Sequence, residues 1–242
     1  MRFASTRRMT SRFGMAIGLI AIAAPLALAA SPALAQEPTA TPGVIGTPVA
    51  TDRCDLNNPA FVPEGAAATY VINSSQSSAS YHAEEELAQI GTQTATGTTN
   101  AFIGQIALDS NGLPMECSRF DVDLRTLTSD ESRRDNFLYS NVLETGTYPL
   151  ATFILTSVEG MNGALTDGQE IPVTLIGNLT IHGVTNQVSW DATVKLDGDT
   201  ITGHATTNFN LDQYNMQKPI VGPVISIADT IQLEVGIVAA KA

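Results

Sequence analysis

The sequence predicts a mainly β chain: an antiparallel barrel of about eight strands with one short helix across a mouth. Three observations predict it. Apolar and polar residues alternate strictly over many short runs, tight-turn dipeptides separate those runs, and a single stretch with helical spacing sits among them. Alternation puts every second side chain on one face, so each such run reads as a half-buried antiparallel strand. Strands with one apolar face must hide it, by closing into a barrel or by stacking two sheets.

The chain opens with an export signal. Arg2, Arg7, Arg8 and Arg12 make a basic start, Met15 to Ala30 is an apolar run, and Ala33-Leu34-Ala35 supplies a small-x-small cleavage site. Residues 1–35 are therefore read as a signal peptide, and the mature protein as exported, to the periplasm or the cell exterior. Removal of these four arginines deepens the formal net charge from −12 to −16, a field that repels nucleic acid. No later run is apolar and long enough to span a bilayer, so no stable membrane insertion is expected. Residues 36–65 are rich in Pro, Thr, Ala and Gly and read as a flexible extension. Residues 66–242 form one domain, long enough to bury a sizeable core.

Within that domain Phe120, Val122 and Leu124 alternate with Arg119, Asp121, Asp123 and Arg125. Similar rows are Phe102-Gly104-Ile106-Leu108, Val173-Leu175-Gly177-Leu179-Ile181 and Val188-Trp190-Ala192-Val194-Leu196. Ile201-Gly203-Ala205-Thr207-Phe209 and Ile231-Leu233-Val235-Ile237 complete the set. Asn111-Gly112, Asp167-Gly168, His182-Gly183 and Asp197-Gly198 mark tight turns. The small residues Gly104, Gly177, Ala192, Gly203 and Ala205 on inward rows suggest interior room, and so a barrel over a sandwich. Thr128-Ser129-Asp130-Glu131 fits a capping box, followed by an apolar stripe of Phe137, Leu138 and Val142 over roughly three turns.

Signals for catalysis are missing from the sequence: no G-x-S-x-G elbow, phosphate-binding glycine loop or H-E-x-x-H is present. The acid run Glu84-Glu85-Glu86 reads as a solvated strand end, and His82, His182 and His204 lack metal-ligand spacing. Asn73-Ser-Ser and Asn178-Leu-Thr match the glycosylation tripeptide. Cys54 and Cys117, in a chain bound for an oxidising compartment, are expected to form one disulfide. No enzyme, cofactor or metal is expected.

Four segments in order, "YVINSSQSSASYHAEEE", "ESRRDNFLYSNVLETGTYPLATF", "GNLTIHGVTNQVSW" and "FNLDQYNM", resemble the successive motifs of the YceI-like family. The resemblance covers Thr69 to Lys241. It implies an up-and-down, lipocalin-like barrel that binds polyisoprenoids, isoprenoid quinones or similar lipids and has no established catalysis. Five positions depart from the family pattern: Gln76, Glu85 and Phe137 stand where histidines are common, Leu211 where an arginine is, and Asn215 where a glycine is. Asparagine tolerates the left-handed backbone, so the Asn215 turn is expected to persist. Fewer cationic groups favour an uncharged head, such as a quinone, over a diphosphate.

The apolar pocket is expected to draw on Phe102, Phe120, Phe137, Leu138, Phe153, Leu179, Trp190, Phe209, Tyr214 and Met216. Trp190 also suits a plug at one end of the barrel, and Phe137 and Leu138 also suit plain core. Arg134 is the head-group candidate, with a structural pairing to Asp135 or to a strand carboxylate as its other role. A non-carrier domain with a filled core and a structural or adhesive role is the alternative function. The oligomeric state is open.

Overall fold

The computed structural model describes residues 43–220 and 222–242, so the expected signal peptide and the first part of the extension lie outside the described residues. Twelve strands appear among the described residues. The first, β1 (Gly43–Gly46), lies outside the barrel ring. Eight staves form the ring, three of them broken in the middle. The first stave joins β2 (Ala68–Ile72) to β3 (Ser78–Leu87) through a 3-10 turn whose cap, Asn73, accepts from the Ser75 backbone N–H at 3.1 Å. The second joins β4 (Gly91–Thr99) to β5 (Phe102–Leu108), and the third β6 (Arg119–Asp123) to β7 (Thr128–Ser129). The remaining staves are β8 (Leu150–Glu159), β9 (Glu170–Ile181), β10 (Val184–Asp197), β11 (Thr200–Asn210) and β12 (Val224–Lys241).

Every neighbouring pair is antiparallel, and β12 closes the ring. On one side it pairs with β11 from Asn210↔Thr230 to Thr200↔Ala240. On the other it pairs first with β3, over Val224 to Gly236, and then with β2, over Ala239 to Lys241. The expected closed eight-stranded barrel with one short helix is what the chain forms.

The turns follow the sequence signals. His182 and Gly183, at φ 51° and 73°, make the left-handed pair that a two-residue hairpin between β9 and β10 requires. Gly183 is further fixed by the Tyr148 ring, which a Cβ there would meet at 2.6 Å. Asn215 holds φ 56°, so the asparagine keeps the turn as expected.

The small inward residues act differently from their expected role. None of Gly104, Gly177, Ala192, Gly203 and Ala205 lines the main cavity. A Cβ on Gly177 would meet the Phe153 ring at 2.5 Å, and one on Gly104 would meet the Phe120 Cα at 2.7 Å. These glycines let neighbouring atoms approach closely and are filled by them. The room comes instead from Ala79 and Ala83 on β3, Ala95 on β4 and Ala151 on β8.

The segment read as a flexible extension runs across the outside of the barrel where it is described. β1 pairs with β10 through Gly43↔Ser189 and Val44↔Val188. Beyond it the Asn178 side-chain amide donates to the Val49 carbonyl at 2.6 Å and accepts from the Val49 N–H at 2.9 Å. Arg119 donates to the Leu56 carbonyl at 2.5 Å and Gln105 to that of Phe61. Composition alone gave no hint of this, because the clasps use backbone groups of the extension, which every sequence has. The strap also explains why outward-facing Gln105 and Asn178 are buried; Asp121, buried as well, lies beneath the Arg119 side chain that reaches the strap. Asp121 is satisfied there by Arg119 Nη2 at 3.0 Å and by the Thr152 hydroxyl at 2.6 Å. The Asn178 tripeptide is thereby a clasp with both amide atoms engaged.

Cys54 and Cys117 are bonded, with Cα atoms 5.4 Å apart and 63 positions apart in sequence, so the expected disulfide pins the strap to the body. Closing a loop of this size restricts the unfolded chain strongly. Replacing both cysteines by serine is expected to lower the unfolding free energy by about 3 kcal/mol in urea titrations. Far-ultraviolet circular dichroism should stay β-rich, because the barrel's own pairings do not use the strap.

Candidate ligand cavity

The helix begins later than the sequence suggested. Thr128 and Ser129 pair with Thr98 and Gly97 as β7, and Glu131 takes the N-cap, accepting from the Arg133 N–H at 3.0 Å. α1 (Ser132–Phe137) then runs into a π turn at Leu138–Val142. The reason is Asp135, which accepts from the Ser129 hydroxyl at 2.6 Å and from the Ser129 N–H at 3.1 Å. Those bonds hold Ser129 outside the helix and move the cap two residues on from it. The carbonyl of Leu127, accepting from the Tyr139 hydroxyl, fixes the other side.

Between this helical segment and the inner barrel wall lies a cavity of about 810 Å³. Its walls are mostly aliphatic, and the helix contributes Phe137, Leu138 and Val142 to them. Of the residues expected in the pocket, Phe120, Phe137, Leu138, Leu179, Trp190, Phe209 and Met216 line it. Phe102, Phe153 and Tyr214 do not. Phe102 packs behind Phe120 at 6.0 Å, and Tyr214 stands edge-on to Phe209 at 5.2 Å, fully buried. Phe153 belongs to the floor with Trp190, which is 2% exposed and meets Phe120 and Phe153 edge-on at 6.5 and 5.8 Å. Trp190 is thus both a lining residue and part of a plug.

The mouth is more polar than an apolar lid would make it. Glu85, read as part of a solvated acid run, is 4% exposed and points inward between Ala83 and Leu87. Desolvating it is tolerable because Arg134 Nη2 lies 2.8 Å from its Oε1 and the Gln93 amide donates to the same oxygen at 3.1 Å. Arg134 also meets Asp130 at 2.5 Å, which holds the Asp130 carboxyl below its usual range. The guanidinium therefore pairs with a strand carboxylate and Asp130, and Asp135 is engaged elsewhere. Alternation alone could have placed Glu85 inside; its partner, 49 residues away, could not be read from the sequence.

Tyr81, which the sequence reading also missed, lies across Gly97 on the same wall, where a Cβ would meet its ring at 2.3 Å. Its hydroxyl is buried without a hydrogen-bond partner, and burial pushes its pKa up to about 12, against the opposing pull of Arg134. Ile90, which lines the cavity, is 71% exposed. On the outer wall two of the three scattered histidines, His82 and His204, meet the carboxylate of Glu234 at 3.2 and 2.9 Å.

The fold has counterparts in known proteins. The model of the YceI-like domain matches residues 70–239. The chain is 32% identical to a UPF0312 protein of Pseudomonas putida over 143 residues, covering 55% of this chain and 70% of the relative. It is 30% identical to Protein YceI of Escherichia coli O157:H7 over 142 residues, covering 56% and 70%. Among solved structures, a polyisoprenoid binding domain from Saccharophagus degradans, implicated in plant cell wall breakdown, superposes with a TM-score of 0.56 at 15% identity. That match covers 72% of this chain and 98% of the domain. BcnA of Burkholderia cenocepacia gives 0.55 at 18% identity, over 70% and 99%.

Tyr81 sets an alkaline limit. Because its folded pKa lies above the ordinary value of 10.0, its contribution is complete below pH 10 and is lost as pH rises through about 12. Burial moves Tyr214 the same way. Urea unfolding across that window should show falling stability, with a shallower fall in Tyr81→Phe.

Proposed function

We infer that this chain, which belongs to the YceI-like domain family, is an exported carrier that encloses a long-chain lipid with an uncharged head. The observation that carries this reading is the apolar cavity of about 810 Å³ beneath the helix, open at one end of a barrel. Pockets of this size and lining enclose most of a ligand's surface. Each CH₂ transferred there from water contributes about 0.8 kcal/mol, so several isoprene units offset the ordering cost of binding. The Saccharophagus degradans domain, described as polyisoprenoid-binding, supports an isoprenoid chain as the occupant. A structural or adhesive domain with a filled core is disfavoured by the same volume.

The mouth supports the uncharged head. Its cations are Arg133 and Arg134, and its carboxylates are Glu85, Asp130 and Glu131. Arg134 is already held by two of them, so a diphosphate would approach a site with more negative than positive groups. A quinone carbonyl or an alcohol meets no such repulsion. Binding and sequestration need no catalysis, and the proposal includes none. The apolar start of the chain and the disulfide support export, to the periplasm or the cell exterior.

Native mass spectrometry with solvent extraction should recover a neutral isoprenoid lipid from the purified protein. Ala95→Phe, which fills the cavity opposite Ala83, should abolish that recovery without lowering the melting temperature. Phe137→Asp should cut lipid retention by loosening the helix; unchanged retention at normal stability would count against its role as a cover.

Glu85→Gln should raise affinity for a prenyl diphosphate roughly tenfold or more, while leaving quinone affinity within about threefold, as read by Trp190 fluorescence.

A further inference from the structure

A second, smaller void of about 90 Å³ lies at the far end of the barrel. Its wall is formed by aliphatic side chains including Ile72, Leu155, Leu165, Ile201 and Ile237. Among the described residues Phe120 alone lines both this void and the main cavity. Its ring is only partly buried, although it packs on Phe102, Phe153 and Trp190, because it borders empty space on two sides. Its main chain is held on both edges, paired with Gly104 of β5 and with Phe153 of β8. Movement at this point of the floor is therefore confined to the ring, with open volume above it to turn into.

We propose that the far void is a subsite for the terminal apolar segment of a long lipid chain, and that Phe120 is the gate through which the chain reaches it. The inference rests on the carrier reading above and deepens it, since it sets which tail lengths the barrel prefers. A short chain ends on the Phe120 ring. Added methylenes then find no new apolar wall, and affinity stops rising. Once the chain is long enough to fill the void, the transferred area offsets turning the ring, and affinity rises again. Straight and isoprenoid tails obey the same rule, because the polar residues at the void's margin, Gln105, Ser118 and Arg119, spend their side chains on the Phe61, Met115 and Leu56 carbonyls and on Asp121.

The test uses the delipidated full-length mature protein and a series of saturated primary alcohols of increasing length, followed by Trp190 fluorescence. Wild-type affinity should rise roughly fourfold per added CH₂, level off over several carbons, and then rise again. Phe120→Ala should remove the plateau and give one unbroken rise; Phe120→Leu, which keeps an apolar side chain should the alanine variant not fold, should shorten it. Phe120→Trp should extend the plateau and suppress the second rise. Binding of short alcohols with the same length limit in wild type and all variants would overturn the subsite while leaving the carrier reading intact. Failure of wild type to bind any alcohol or isoprenoid would overturn both.

Discussion

Closure of the sheet by β12 is the constraint on which the rest depends. One strand of 18 residues satisfies β11 on one edge and both halves of the first stave on the other. With the ring shut, the circumference is set by backbone hydrogen bonds and not by side-chain volume. A core that cannot collapse inward must be filled by side chains or left hollow, and here the two ends differ. At the floor Phe120, Phe153 and Trp190 fill the bore. Near the mouth Ala79, Ala83, Ala95 and Ala151 do not, and the cavity is the remainder.

The hollow end needs a cover that is apolar inside and anchored at its margin. The helical segment meets both needs with different residues of one short stretch. Phe137, Leu138 and Val142 face the cavity, while Arg134 reaches Glu85 on β3 and Asp135 reaches back to Ser129. Glu85 is buried and Arg134 partly so, and the pair's net contribution to stability is small, but loss of Arg134 would strand a desolvated carboxylate, whereas loss of Glu85 leaves Arg134 with Asp130. Such a pair fixes where the cover sits more than how strongly it holds.

Much of this was legible beforehand, and each failure has its own physical cause. Alternation in segments such as Val173 to Ile181 fixed strand faces because a period of two has no other stable reading beside a core. Asn215 could be read because a left-handed turn admits few residue types. Glu85 was misread because its charge outweighed its place in the alternating row Ala83, Glu85, Leu87, although the row was the better guide. The inward glycines were misread because a missing side chain signals either space or close approach, and only the neighbours decide which. The strap was invisible since Asn178, Gln105 and Arg119 clasp carbonyls that carry no residue identity.

The strap has a further meaning when set beside the family match, which begins at residue 70 and leaves it out. The side chains that clasp it, Gln105, Arg119 and Asn178, are ones that water would also satisfy. A barrel wall written in such residues remains serviceable bare. The extension is thus held by contacts that ask little of its own side chains: its carbonyls at Val49, Leu56 and Phe61 take the barrel's donors. The disulfide is the point at which the two have become one molecule.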